Sequence, residues 1–309
     1  MRTFIFFVAT GLAVAQSAAT TTTTDINGNR IAAGQTVATD GIVTDLRQSI
    51  NGREVPLEQV EQKVLSQSGN TTVTERIIRH YGANGVVVQT DRVVTEETKT
   101  GEGESVVHSA TYRSDISGNM AEAERKTVET RKQGDATVTD TAVEKKDLSG
   151  SFAVAEKRSA TSEPTPTGKN ESETVMLRDA NGNLYEAQRL STTETKTGNQ
   201  VLRNTAIYEP NVDGQLLLSR QEVRKATSNP DGSSSEEVEI FGRTSNGQAR
   251  EPGAPPSLTE KRVIDRHLGP GGEIVETQKV QVPSMNDGRL DPARPVSETV
   301  CRGECDKKP

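Results

Sequence analysis

"DANGNLYEAQR", residues 179–189, has a near copy in "DISGNMAEAER", residues 115–125. In each, a glycine preceded by a small polar residue is followed by a run with strand-forming alternation. Asn-Gly and Asp-Gly pairs suit the positive φ of tight hairpin turns. Outward from these two stretches, glycines preceded by Asn, Ser or Asp recur at Gly52, Gly85, Gly118, Gly150, Gly182, Gly214, Gly247 and Gly288. The steps are 33, 33, 32, 32, 32, 33 and 41 residues. The last interval holds "REPGAPPS", 250–257, which reads as an insertion.

A second set of glycines falls half a period later, at Gly69, Gly101 or Gly103, Gly134, Gly168, Gly198, Gly232 and the "GPGG" of 269–272. The chain therefore turns twice per unit, and Thr, Val and Glu fill the runs between turns, as in "ATVTDTAVEKK", 136–146. The unit is a hairpin of about 32 residues. "REVPLEQVEQKVL", 53–65, has some helical spacing but occupies a strand slot of the period and is read as strand.

Positions inside the unit recur as well. Two residues after the glycine comes Val87, Met120, Phe152, Leu184 or Leu216. Five after it comes Thr90, Ala123, Ala155, Ala187 or Ser219, and seven after it Arg92, Arg125, Lys157, Arg189 or Gln221. Strict alternation puts positions five and seven on one face and position two on the other. The small residues are expected to admit a close neighbouring layer, and the basic ones to pair with Glu across strands.

The fold class expected is all-β, a long-stranded antiparallel meander, since short turns suit antiparallel neighbours. A β-solenoid and a largely disordered chain are the alternatives. An outer-membrane barrel asks for an apolar belt and aromatic girdles, and the sequence shows neither. Residues 1–15 read as a signal peptide, with Arg2, the apolar run 4–15 and small residues at 13–15. Residues 16–45 read as a Thr-rich flexible leader, 46–293 as the hairpin-repeat domain, and 294–309 as a polar tail.

After the signal peptide the aromatic residues are Phe152, Phe241, Tyr81, Tyr112, Tyr185 and Tyr208, with no Trp. A conventional core of this length holds far more. The net charge of −7 has its signs interspersed, and no basic block points to nucleic acid. No polybasic or amphipathic helical stretch points to a membrane, so no stable membrane insertion is expected.

Cys301 and Cys305 are the only cysteines, and an even count in an exported chain makes them a disulfide candidate. A metal site would need further soft ligands, and none is near in sequence. His80, His108 and His267 stand far apart in sequence and no Ser, Cys or Glu constellation marks them as catalytic, so no catalytic residue and no cofactor is expected. "DINGN", 25–29, and "DANGN", 179–183, resemble the start of a calcium loop, but Leu190 stands where the closing acid belongs, and turn chemistry explains them. Asn70 and Asn170 head glycosylation sequons.

"YRSDISGNM", 112–120, and "LRDANGNLY", 177–185, resemble the tyrosine–aspartate repeats of RHS-type bacterial shell and surface proteins. That resemblance implies a secreted bacterial β-repeat protein. Together these readings describe a periplasmic or extracellular, non-catalytic structural or interaction protein. Its partner would be an envelope protein or a glycan, and its sheet edges would be open to self-association. Polysaccharide binding, through Tyr112 and Tyr208 before their turns, and a disordered stalk are the alternatives.

Overall fold

The structure is a computed structural model. It describes residues 19–303 except 39, 40, 51, 116, 148, 243, 246, 247, 250–255 and 285–287. Its regular elements are all strands: β1 (Ala19–Asp25), β2 (Arg30–Ala38), β3 (Gly41–Ile50), β4 (Arg53–Ser68), β5 (Thr71–Tyr81), β6 (Val87–Gly101), β7 (Glu104–Ser114), β8 (Met120–Gln133), β9 (Ala136–Lys146) and β10 (Phe152–Thr165). There follow β11 (Gly168–Arg178), β12 (Leu184–Thr197), β13 (Gln200–Pro210), β14 (Leu216–Ser228), β15 (Ser234–Gly242), β16 (Thr244–Ser245), β17 (Gln248–Ala249), β18 (Ser257–Leu268), β19 (Ile274–Gln281) and β20 (Arg294–Arg302).

Each strand pairs antiparallel with its neighbours in sequence, and β18 follows β15 because β16 and β17 form a separate small hairpin. β1 pairs with β2 and also with β20, where Thr20 faces Arg302 and Asp25 faces Ser297. The 18-stranded meander is thus closed into a barrel. The expected meander holds, and the solenoid and the disordered chain do not. The Thr run expected to be a flexible leader is β1, and most of the expected polar tail is β20. These two strands close the ring, so the described 18-stranded sheet has no open edge and edge-to-edge self-association through it loses its basis.

The wall is one sheet thick. No described side chain is less than 2% exposed, and the most buried apolar ones are Val60, Val138, Val175, Val238 and Ile240. The chain exposes 20292 Å², against about 12,600 Å² for a compact monomer of this mass. A hollow wall wetted on both faces accounts for the excess.

The turns explain the glycine clock. At 115–119, 147–151, 179–183 and 211–215 the same five-residue loop recurs. The first residue's N–H donates to the fifth carbonyl, and the glycine N–H donates back to the first carbonyl, as from Gly150 to Asp147 at 3.0 Å. The Asp or Asn side chain accepts from two further N–H groups, as Asp179 Oδ1 does from Asn181 at 2.9 Å and Asn183 at 2.8 Å. These bonds hold the Asp115 carboxyl below its ordinary range, the Asn119 N–H first among them. The Ser149 hydroxyl does the same for Asp147. The glycine of each loop has positive φ, 82° at Gly118 and Gly150 and 78° at Gly214, where a side chain is strained.

The small residue five places after the glycine has a different role from the one expected. Ala123, Ala155, Ala187 and Ser219 are each skipped where the pairing register shifts. They are β-bulge residues, and no second layer approaches them. The bulge also reverses the expected faces. Because one residue is unpaired, positions two and seven end on the same face. The Arg125 guanidinium accordingly lies 4.1 Å from the Phe152 ring.

Candidate channel and its two rims

Following the register around the barrel separates two faces. Val60, Asp91, Val175, Thr192, Val238 and Ile240, six of the eight most buried residues, share one face. Side chains converge on the concave side of a closed sheet and splay on the convex side, so this crowded face is the lumen. β12 shows the contrast within one strand: Arg189, Ser191, Thr193 and Thr195 are exposed, while Gln188, Leu190, Thr192 and Glu194 are half-buried or buried.

The lumen face carries Val and Ile among ionised pairs. Glu171 accepts from Lys169 at 2.7 Å and from Arg203 at 2.8 Å. Arg203 stands directly opposite Arg224, which reaches Glu236 at 2.9 Å and Glu222 at 3.2 Å. A recess of about 370 Å³ opens beside this group, lined in part by Thr139, Glu171, Thr192, Arg203 and Thr205. Ionised and hydroxyl side chains make the described lumen face polar around this recess.

The outward face is ionised too. Arg131 meets Asp140 at 2.5 Å, and Glu75 accepts from Arg92 at 2.6 Å and pairs with Lys63 at 2.9 Å. Of the row seven places after the turn glycines, Arg125 and Arg189 pair with Glu122 and Glu186 of their own strands, at 2.9 and 2.8 Å, rather than across strands.

The two rims differ. At one, strands are joined by two-residue turns at 69–70, 102–103, 134–135, 166–167 and 198–199, and the first and last strands of the ring begin and end there. At the other lie the five-residue loops 25–29, 82–86, 115–119, 147–151, 179–183 and 211–215, the long connections 243–256 and 282–293, and the turn glycines Gly52, Gly85, Gly118, Gly150, Gly182, Gly214 and Gly288, all of positive φ, while two further five-residue loops, 229–233 and 269–273, stand at the short-turn rim. Gly247 lies outside the described residues. In the 282–293 connection the Asp291 N–H donates to Val282 O at 3.0 Å, and Gln281 Nε2 donates to Asp291 O at 3.0 Å.

The remaining sequence candidates are dispersed. Cys301 is near the end of β20, and Cys305 lies outside the described residues. His80 sits 3.3 Å from Glu58 and 3.9 Å from Asp91. His108 bonds Thr127 at 3.2 Å, and His267 is paired with Val275. Asp25 Oδ1 and Asp179 Oδ1 each accept from two N–H groups of their own turns. Among the described residues no cluster of three or more His, Cys, Asp or Glu could hold a metal. Tyr112 and Tyr208 lie on the outward face, opposite Arg92 and Arg189. Closure of the ring, the bulges and the polarity of the rims are what sequence reading missed. Only the Ala and Ser at position five signalled a bulge.

The sequence matches no protein-family model and no curated protein. Solved structures do match. OccK2 (OpdF) of Pseudomonas aeruginosa, solved with glucuronate, aligns at 11% identity over 93% of this chain and 97% of that one, with a TM-score of 0.53. OccK5 (OpdH) of Pseudomonas aeruginosa aligns at 9% identity with the same coverage and a TM-score of 0.50. The likeness is one of fold. The closed 18-stranded barrel is the fold shared with these two. It replaces the resemblance to RHS-type repeats, which rested on turn chemistry shared by any chain of Asp-Gly and Asn-Gly loops. The reading as a structural repeat protein without stable membrane insertion is corrected as well, because the hairpins close into one 18-stranded barrel that shares its fold with OccK2 and OccK5.

Proposed function

We propose that the chain is a porin-like channel of a bacterial envelope membrane, passing small hydrophilic solutes along its polar lumen. The observation that carries this is the closed 18-stranded meander, with mostly two-residue turns and both strand termini at one rim and mostly longer loops at the other. Outer-membrane barrels combine short turns on one side with longer loops on the other around a polar interior. The fold shared with OccK2 and OccK5 supports the same reading. Glucuronate, bound by OccK2, is the first solute to test.

The outward wall departs from that of such barrels. Its middle carries Lys63, Glu75 and Arg92 where an apolar band about 25 Å tall is the rule. An Arg or Lys at the bilayer midplane costs about 2–4 kcal/mol, and the pairing of Glu75 with Lys63 and Arg92 offsets part of it. Entry into lipid is therefore the deciding property. The test is refolding of residues 16–309 into planar bilayers, with single-channel conductance in salt and its block by glucuronate. Discrete conductance steps support the channel. A protein that stays monomeric in the aqueous phase and never conducts refutes it.

A further inference from the structure

The recess in the lumen wall has a cause in the sequence. Across the lumen face of β10, Ala160 stands between Thr139 and Glu173, and Ser162 stands between Thr137 and Glu171. Each is the smallest side chain of its row, so β10 leaves a gap that its neighbours on β9 and β11 overhang. The gap is the opening of about 370 Å³. That lies at the small end of ligand clefts, which run to about 300–1,000 Å³.

The lining selects among solutes. Its charges are matched within the wall: Glu173 accepts from Arg158 at 3.4 Å, and Glu171 accepts from Lys169 at 2.7 Å and Arg203 at 2.8 Å. An ionised solute entering here sheds water and meets only charges that are already paired. The other polar residues of the lining all bear hydroxyls. Thr192, only 6% exposed, lies with its hydroxyl 3.0 Å from that of Thr205. A hydroxyl donates once and accepts twice, so this pair keeps both donor and acceptor capacity beyond its shared bond. Leu190 and Ala160 add an apolar patch beside it. Hydroxyls around an apolar patch, with every carboxylate paired, complement an uncharged polyol, whose own hydroxyls alternate with C–H groups.

We propose that the recess is a subsite for an uncharged polyol of hexose size, held by the Thr192 and Thr205 hydroxyls with its C–H face on Leu190 and Ala160. The subsite rests on the channel reading for the route by which solute arrives, and its binding does not require conduction. D-Glucose and D-glucuronate are the probes, since they differ only in a hydroxymethyl group against a carboxylate. Saturation-transfer NMR on residues 16–309 refolded in detergent micelles reads their binding. The parent is expected to bind D-glucose, and D-glucuronate about tenfold more weakly or worse. Ala160→Leu fills the gap and should weaken D-glucose binding about tenfold or more. Ala33→Leu makes the same enlargement elsewhere on the lumen face, opposite Thr21 and Leu46, and should bind as the parent does. Far-UV circular dichroism checks that both variants fold, and the preference of the parent between the two probes tests the subsite without any variant. No D-glucose binding by the parent, D-glucuronate binding as tight, or a folded Ala160→Leu that binds D-glucose unchanged overturns the subsite. Conductance of the same preparation separates the two proposals: D-glucose binding without conductance upholds the subsite and refutes the channel, and conductance without D-glucose binding does the reverse.

Discussion

Gly214 and Gly34 offer a matched pair of substitutions. A Cβ added at either meets nothing within 4 Å. They differ in backbone alone: Gly214 has φ of 78° in a turn, and Gly34 has no such positive φ within β2. Gly214→Ala forces an L side chain into the left-handed region at about 1–2 kcal/mol, with no contact to gain. Gly34→Ala removes unfolded-state freedom and should be neutral or stabilising by up to about 1 kcal/mol. The turns at Gly118, Gly150, Gly214 and Gly232 are all open in this sense, with φ between 78° and 82°. Because the four sites are separate, changing all of them to Ala should cost about 4–8 kcal/mol, on the scale of a whole domain's stability. Urea titration followed by far-UV circular dichroism reads the midpoints and slopes. If Gly214→Ala and Gly34→Ala shift the midpoint equally, positive φ is not what fixes these turns and the account of the glycine clock fails.

Three further outcomes follow. The hydrogen bonds of their own turns hold the Asp115, Asp147 and Asp231 carboxyls below the ordinary aspartate range, so they stabilise the fold above that range. That contribution drains as pH falls through their lower folded values. Asp147→Asn should flatten this acid limb in an unfolding series from pH 5 to pH 2, and an unchanged limb would show the turns take no part. Thr23→Pro removes a ladder N–H where β1 sits between Ile31 and Thr299. The opened ring should associate through its bare edges, giving dimers or larger species by light scattering where the parent gives one mass. Cys301 and Cys305 should form one disulfide in the exported chain; thiol titration in denaturant should find no free thiol before reduction and two after it, and two at the outset would reject the bridge.

Much of the local design can be read from the residues. The Asp-x-Ser-Gly and Asp-x-Asn-Gly phrases name their own loop, because a short polar side chain, a glycine and the intervening N–H groups close it without help from elsewhere. The runs between glycines read as strands, and neighbouring strands had to be antiparallel across turns this short. The faces did not read correctly. Arg125 and Phe152 meet only because Ala123 and Ala155 are skipped in the ladder, and the period-two rule has no term for a bulge. The site was less legible still. Lumen and outer wall both carry Arg, Glu and Thr, so composition cannot say which face is which, and the crowding around Thr192 and Val238 could be seen only in the curved sheet.

The sequence by itself determined a chain of hairpins, because every turn and every pairing across it lies within a few tens of residues. Closure belongs to the tertiary structure. Thr23 and Thr299 bond to each other at 2.9 Å across a separation of 276 residues. The strands that carry them looked like a leader and a tail because neither is apolar and neither has a partner nearby in the chain. What makes them strands is the row of unpaired N–H and C=O groups that each end of the meander offers the other. That row exists only once the sheet has curved far enough for its first and last strands to meet.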